Sequence, residues 1–459
     1  MAQTPTGTKS GREGFPLLTD AISPASVPLF VENLLRGEKP AAEWRCGVEF
    51  ELFGYDRARD FARIDPAQVQ RVLAGFAPSS NDLVREGETL VEVSDGQMNR
   101  LTIEPGGQIE FSGAPHRRLA EVEAGLRRYL ARLREVADAN GLVFLAAGFD
   151  PLRSSEEQKW FPKMRYDVMR PYMATRGRRA WDMMARTCSV QANLDYGGPE
   201  DLRKKFLMSS RLAPVVTAMF ANSPFERGRP SGYKSTRAAA WLDTDPDRSC
   251  MPPPALSDDF APADYVAYAL GVPMVFAQRG GRYLGSVSGL RFDEFLERGG
   301  EGVSPVFGDW ADHLTTIFTD VRLKQHIEFR SADCVGPELA LALQAFWKGL
   351  AYDAASLDEA LRLAPRLDAR DAHALREQVA RDALAARCAG VDVLGLAREV
   401  VRLATEGLSR VAPEEVSYLD PLRQLVVADG VCPADLLLRD YEGARRGSAE
   451  RVVESLRVA

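Results

Sequence analysis

A mixed α+β fold is what this sequence predicts, and three observations predict it. Short runs in which apolar and polar side chains alternate strictly recur over residues 44–55, 90–112, 188–196 and 326–331, the period of a strand with one polar face. Between them stand segments with apolar residues every three or four positions, the period of a helix. After Pro337 the strand signal stops and the pattern becomes almost purely helical.

In chain order, residues 19–35 read as a first helix, 44–55 as a strand and 66–74 as a helix. Residues 90–112 read as strands separated by turns at Asp95-Gly96 and Pro105-Gly106-Gly107, because glycine reaches the backbone angles of a tight turn at no steric cost. Over 117–139, Leu119, Val122, Leu126, Tyr129, Leu133 and Val136 mark one face of a long amphipathic helix, which Asn140-Gly141 stops ahead of a buried strand over 142–149. Further strands are expected near 188–196, 273–278 and 326–331, and helices over 339–352, 371–386, 393–404 and 433–456. The expected organisation is a flexible leader over 1–15, a region over 16–335 that holds the charged strands, and a helical C-terminal region over 336–459 packed on it.

Composition excludes several kinds of function. The 459 residues carry 58 Lys and Arg against 65 Asp and Glu, a net charge of −7, and no basic block, so nucleic acid is not an expected partner. The longest apolar stretches, 142–149 and 339–347, fall well short of the roughly 20 residues of a membrane helix, and no membrane partner is expected. Six cysteines without a CxxC pair and only four histidines disfavour both a disulfide scaffold and a zinc site, and fit a reducing, cytoplasmic location.

The alternating strands carry the chemistry. In Cys46-Gly-Val-Glu-Phe-Glu-Leu-Phe53, Glu49 and Glu51 share one face and Val48, Phe50 and Leu52 the other. Ile103-Glu-Pro-Gly-Gly-Gln-Ile-Glu-Phe111 places Gln108 and Glu110 together, with Glu104 just before the turn. Cys188-Ser-Val-Gln-Ala-Asn-Leu-Asp195 aligns Gln191, Asn193 and Asp195, and His326-Ile-Glu-Phe-Arg330 sets Glu328 beside Arg330. Any one of these alone reads as a half-solvated strand. Four together in one sheet would concentrate carboxylates whose repulsion needs cations to offset it, and oxygen ligands with scant His favour Mg²⁺ or Mn²⁺. Lys163, Arg165 and Arg170, then Arg237 and Arg248, supply basic groups suited to carboxylates and phosphates. Surface salt bridging explains such arginines equally well, and spacing alone does not choose among them.

The run Leu101-Thr-Ile-Glu-Pro-Gly-Gly-Gln-Ile-Glu-Phe-Ser-Gly-Ala-Pro115 resembles a signature of the plant and proteobacterial class of glutamate-cysteine ligases. Arg165-Tyr-Asp-Val-Met-Arg-Pro-Tyr-Met173, Phe220-Ala-Asn-Ser-Pro-Phe225, Trp241-Leu-Asp-Thr-Asp-Pro-Asp-Arg248 and the stretches over 182–195, 313–318 and 321–333 resemble further segments of that family, in order. The resemblance implies a glutamine-synthetase-like fold, with a curved antiparallel sheet whose polar concave face holds ATP and Mg²⁺. It implies that the γ-carboxylate of L-glutamate is phosphorylated by ATP and that the amine of L-cysteine then displaces phosphate, the first step of glutathione synthesis.

Carried onto matching positions, the resemblance makes Glu49, Glu51, Glu104, Glu110 and Glu328 metal ligands, and Arg330, with Glu328, catalytic. Arg165, Arg237 and Trp241 would bind substrate, and Lys163, Gln191 and Asn193 would hold the nucleotide. A monomer or homodimer is expected. The chain departs from the family in two places. Phe50 and Leu52 flank the acids where relatives read Gly-Thr-Glu-His-Glu-Lys-Phe, and Val275 and Gln278 replace tyrosines on the acceptor side. A γ-glutamyl ligase with another amine acceptor, or a sensor that binds ATP without turnover, are the alternatives; product mass and ADP release separate them.

Overall fold

The structure, a computed structural model, describes residues 15–77, 82–442 and 449–459. The expected leader lies outside the described residues except for Phe15, whose ring meets Phe307 edge-on at 5.3 Å and lies under the Arg36 guanidinium at 4.1 Å.

Ten strands form one antiparallel sheet. They are β1 (Cys46–Asp56), β2 (Ala62–Arg63), β3 (Asp82–Glu86), β4 (Thr89–Ser94), β5 (Arg100–Ile103), β6 (Ile109–Ser112), β7 (Leu142–Leu145), β8 (Val190–Leu194), β9 (Val321–Leu323) and β10 (Ile327–Phe329). Their order is β9-β10-β8-β1-β6-β5-β4-β3, with β2 and β7 paired to the far end of β1. The four charged strands are therefore neighbours, as β10, β8, β1 and β6.

Register then decides which side chains share a face. Glu51 stands opposite Glu110, Glu110 opposite Thr102, and Thr102 opposite Glu92. Gln191, Glu49, Ser112 and Arg100 form the next row, and Asn193, Glu328 and Arg322 the third. Val48, Phe50 and Leu52 are buried on the opposite, apolar face.

Around the sheet lie α1 (Val27–Leu35), α2 (Pro66–Phe76), α3 (Leu119–Ala139), α4 (Met164–Met173), α5 (Ala180–Arg186), α6 (Pro199–Met219), α7 (Thr236–Leu242), α8 (Pro262–Gly271), α9 (Phe292–Arg298) and α10 (Phe307–Thr315). Then follow α11 (Pro337–Ala351), α12 (Ala354–Leu363), α13 (Ala369–Asp382) and α14 (Val393–Val411), and helices over Pro433–Glu442 and Ala449–Leu456. α3 and α11 cover the apolar face. Phe111 stacks on Tyr129 of α3 at 4.5 Å and Phe329 on Trp347 of α11 at 4.3 Å, each pair adding about 1 kcal/mol beyond the area it buries.

Several boundaries differ from the sequence expectation. The first helix begins at Val27 rather than near residue 19, after a single 3-10 turn over Pro24–Ser26 and with Pro28 in its first turn, where a missing N–H costs nothing. α6, unforeseen, is buried along nearly all of Lys205–Met219, so it has no polar side to make its period visible. The strand expected over 273–278 is present only from Ala277. The helix expected over 433–456 is two helices, and residues 443–448 lie outside the described residues.

The C-terminal helices join the same apolar core as the sheet. α11 and α14 cross so closely that a Cβ on Gly349 would stand 2.1 Å from the Ala404 carbonyl oxygen. Gly349→Ala is expected to cost about 1–3 kcal/mol through overpacking, read as a lower urea midpoint; an unchanged midpoint would contradict this packing. The chain end returns to the sheet, where the Phe144 N–H donates to the Ala459 carbonyl at 2.8 Å.

Candidate active site

The polar face of the sheet, partly covered by α4, α5 and α7, bounds a cavity of about 380 Å³. Its floor is acidic: Glu49 and Glu51 from β1, Glu110 from β6, Glu92 from β4, and Glu104 at the turn between β5 and β6. That turn is fixed from both sides. Gly107 has φ 77°, a Cβ on Gly106 would lie 2.4 Å from the Ala185 carbonyl oxygen, and Gln108 Nε2 donates to the Thr187 carbonyl at 3.0 Å. Gln108 thus ties the turn to the end of α5, its amide spent on the backbone.

Three of these acids are held by polar contacts. Glu51 accepts from the Ser189 N–H at 2.6 Å, from Ser189 Oγ at 3.1 Å and from Gln191 Nε2 at 3.2 Å. Asn193 Nδ2 donates to Glu49 at 2.9 Å, and Thr102 Oγ1 to Glu110 at 2.6 Å. Burial and then Glu104 push the Glu51 carboxyl up to about 7, against the pull of Arg237, the Ser189 amide and Arg330. Burial and then Glu49, Glu104 and Glu51 push Glu110 well above the usual carboxylate range. The floor holds more negative charge than its surroundings offset, and its donors are hard oxygens, which fits Mg²⁺. Among the described residues no group of three acidic, His or Cys side chains could already hold a metal ion as placed, so ligation requires the carboxylates to turn inward.

A carboxylate whose folded pKa lies above its unfolded one stabilises the fold below the unfolded value, and that stability is lost as pH rises through the folded value. For Glu51 the window runs from the ordinary 4.5 to about 7. In EDTA, raising the pH from about 5 to 8 should therefore lower the melting temperature more in the wild type than in Glu51→Gln. Buried His313, pushed down to about 3 mainly by burial, acts in the opposite sense over part of this range and is common to both proteins. Equal slopes would contradict the crowding of the acids.

The cationic wall comes from β9 and β10, where Arg322, Lys324, His326, Glu328 and Arg330 fall on every second residue. Glu328 is paired with Arg322, with Lys324 Nζ at 2.7 Å, with His326 Nε2 at 3.4 Å and with Arg330 Nη1 at 3.6 Å. Although burial pushes its carboxyl up, Arg322, Lys324 and His326 hold it well below the usual range. Glu328 thus differs from the other four expected metal ligands: both its oxygens are engaged by cations, and it stands behind the cavity surface. The Asn193 amide is turned onto Glu49. Gln191 is a link, donating to Glu51 and accepting from Arg330 Nη1 at 2.7 Å.

The remaining expected residues meet at the same cavity. Arg237 Nη2 donates to the Arg330 carbonyl at 2.8 Å and so braces the end of β10. Trp241 follows one turn later on α7, its ring 5.7 Å from the Arg237 guanidinium. Arg165 Nη2 is 3.4 Å from Thr315 Oγ1, and its guanidinium lies 5.5 Å from the Phe276 ring. Lys163 opens the same helix, its ammonium pushed down by burial and by Arg165.

Other candidates lie elsewhere. Arg170 sits between Trp160 and Trp181, 4.7 and 5.1 Å from their ring centres, and Arg248 is fully buried against Asp245 at 2.7 Å. Val275 packs in a buried cluster with Tyr166, Met169 and Met184, and neither it nor Gln278 reaches the cavity surface. Sequence reasoning missed Glu92, Arg100, Arg322 and Lys324, all at the cavity. Reading the two-residue period back from Arg330 to Arg322 would have found the last two.

An antiparallel sheet with acids on one face and arginines across from them is suited to neutralising a transferring phosphoryl group beside a carboxylate. The model of glutamate-cysteine ligase family 2 matches residues 45–455. The chain is 38% identical to a chloroplastic glutamate–cysteine ligase of Brassica juncea, over 98% of this chain and 89% of that protein. It is also 38% identical to the chloroplastic enzyme of Nicotiana tabacum, over 94% and 84%. The fold is shared with a crystal structure of glutamate–cysteine ligase from Francisella tularensis in complex with AMP, with TM-score 0.55, 12% identity and coverage of 90% and 87%. The chain belongs to glutamate-cysteine ligase family 2, and it is a ligase enzyme.

These relatives correct one expectation. They are named as chloroplastic enzymes, so the expected cytoplasmic location does not stand. Six free cysteines fit any reducing compartment, so composition does not choose one. No helix among the described residues is long and apolar enough to cross a membrane.

Proposed function

We propose that this cavity joins the γ-carboxylate of L-glutamate to the amine of L-cysteine with ATP, with the acidic face of the sheet holding Mg²⁺ and the arginines opposite handling the substrates. The observation that carries this reading is the row Glu51–Glu110 beside Glu49 and Glu104, crowded enough to hold two of its carboxyls above their usual range. Mg²⁺, or Mn²⁺ in its place, would be held by Glu49, Glu51, Glu104 and Glu110 and would neutralise the triphosphate.

In the first half-reaction a γ-carboxylate oxygen of glutamate attacks the γ-phosphorus of ATP and ADP departs, giving γ-glutamyl phosphate. In the second, the unprotonated amine of cysteine attacks the acyl carbon and inorganic phosphate departs. Arg330, oriented by Gln191 and Glu328, stabilises charge on the transferring phosphoryl group and on the tetrahedral intermediate. Arg165 and Arg237 grip substrate carboxylates, Trp241 packs beside them, and Lys163 holds phosphate oxygens. Glu328 acts through the cations it positions.

Purified protein given Mg²⁺, ATP and L-glutamate with a panel of amines should release ADP fastest with L-cysteine, and the product mass should be that of γ-glutamylcysteine. Fastest turnover with another amine would keep the donor chemistry and replace the acceptor. ATP binding without turnover would leave only a sensor.

A further inference from the structure

Behind Arg330 and Trp241 lies a second, smaller cavity of about 30 Å³, room for roughly two waters or one carboxylate group. Arg237, Trp241, Phe318 and Arg330 line both this cavity and the main one, so these side chains stand between the two. Its far wall is formed by Arg376 and Asp320. Arg376 belongs to α13, in the C-terminal helical region, which the sequence presents only as packing support.

Arg376 is buried, with 8% of its surface exposed. Its Nη1 pairs with Asp320, whose backbone carbonyl accepts the Arg330 N–H at 2.8 Å. Its Nε and Nη2 have no hydrogen-bond partner among the described residues, and neither has Trp241 Nε1. A buried donor without an acceptor is costly, more so on a charged group, and a ligand oxygen at this place would offset that cost. Arg330 and Arg237 are engaged elsewhere, with Gln191, Glu328, the Arg330 carbonyl and Asp333, so the free donors are those of Arg376 and Trp241. With a guanidinium among them the complementary ligand is an anionic oxygen group, and the space admits one of carboxylate size.

We infer that this cavity is a subsite for the α-carboxylate of an amino-acid substrate, bound by Arg376 and Trp241 Nε1 and entered from the main cavity past Arg237. The inference rests on the proposed ligase function and deepens it. It gives the C-terminal helical region a direct role at the site: α13 supplies a substrate-binding arginine.

The test is Arg376→Gln and Arg376→Lys, each assayed with glutamate, cysteine and ATP varied in turn. The KM for one amino acid should rise about 10-fold or more in Arg376→Gln, with partial recovery in Arg376→Lys, while the KM for ATP stays within about 2-fold. Which amino acid responds identifies the source of the carboxylate. If it is the acceptor, the preference for cysteine over cysteamine, which lacks the carboxylate, should shrink about 10-fold in the variant. If it is the donor, the preference for glutamate over 4-aminobutyrate should shrink instead. Both preferences are ratios, independent of how much of the variant is folded. Unchanged KM values, or equal rises in all three, with both preferences kept, would overturn the inference while leaving the ligase function standing. A wild type without turnover would overturn both.

Discussion

Glu110→Gln is expected to lower kcat by about 10²–10³-fold, the scale on which removing one electrostatic contact to a transition state acts. The substitution keeps the shape of the side chain and removes the charge. Glu110 stands opposite Glu51 and Thr102 in the sheet, and burial with three neighbouring acids makes its charge costly. Without metal, therefore, the variant should be at least as stable as the wild type near pH 8, because a repulsion has been relieved. Added Mg²⁺ should raise the melting temperature of the wild type, since a ligand that binds only the folded state stabilises it, and should raise that of the variant less. Loss of activity with gain of metal-free stability is a combination that a merely structural carboxylate would not give. A folded variant with normal turnover would remove Glu110 from the metal-binding set.

Arg330→Ala is expected to lower kcat by about 10²–10³-fold while the KM for glutamate changes by no more than about 3-fold. Its guanidinium lies at the cavity surface between Gln191 at 2.7 Å and Glu328 at 3.6 Å, and its own backbone is pinned by Arg237 and Asp320. It is thus fixed in place before substrate arrives, as a group acting on developing charge must be. Arg330→Lys should recover only part of the loss, because an ammonium lacks the second fork of donors. A rise confined to KM would reassign Arg330 to substrate binding.

Much of this site is legible in the sequence because it is built on strands. A two-residue period determines a face with no knowledge of the fold, and it put Glu49 with Glu51 and Gln191 with Asn193 before any partner strand was known. Which strands lie side by side is a long-range fact. It needed the structure to place β10 beside β8 and β1 beside β6. Glu328 and Asn193 share the expected face, but their contacts were not legible: one is enclosed by Arg322 and Lys324, the other turned onto Glu49. Such neighbours are invisible to spacing. α6 escaped for the opposite reason, since a helix buried on nearly all sides shows no polar stripe. Arg376 escaped because its helix reads as an ordinary amphipathic one whose buried side should carry no charge.

The decisive measurement is mass spectrometry of the products formed from ATP, L-cysteine and L-glutamate labelled with ¹⁸O in both γ-carboxylate oxygens, in the presence of Mg²⁺. Passage through γ-glutamyl phosphate predicts γ-glutamylcysteine that keeps one labelled oxygen and inorganic phosphate that carries the other. Unlabelled phosphate, or release of ADP without a γ-glutamyl product, would contradict phosphoryl transfer to glutamate on this acidic sheet.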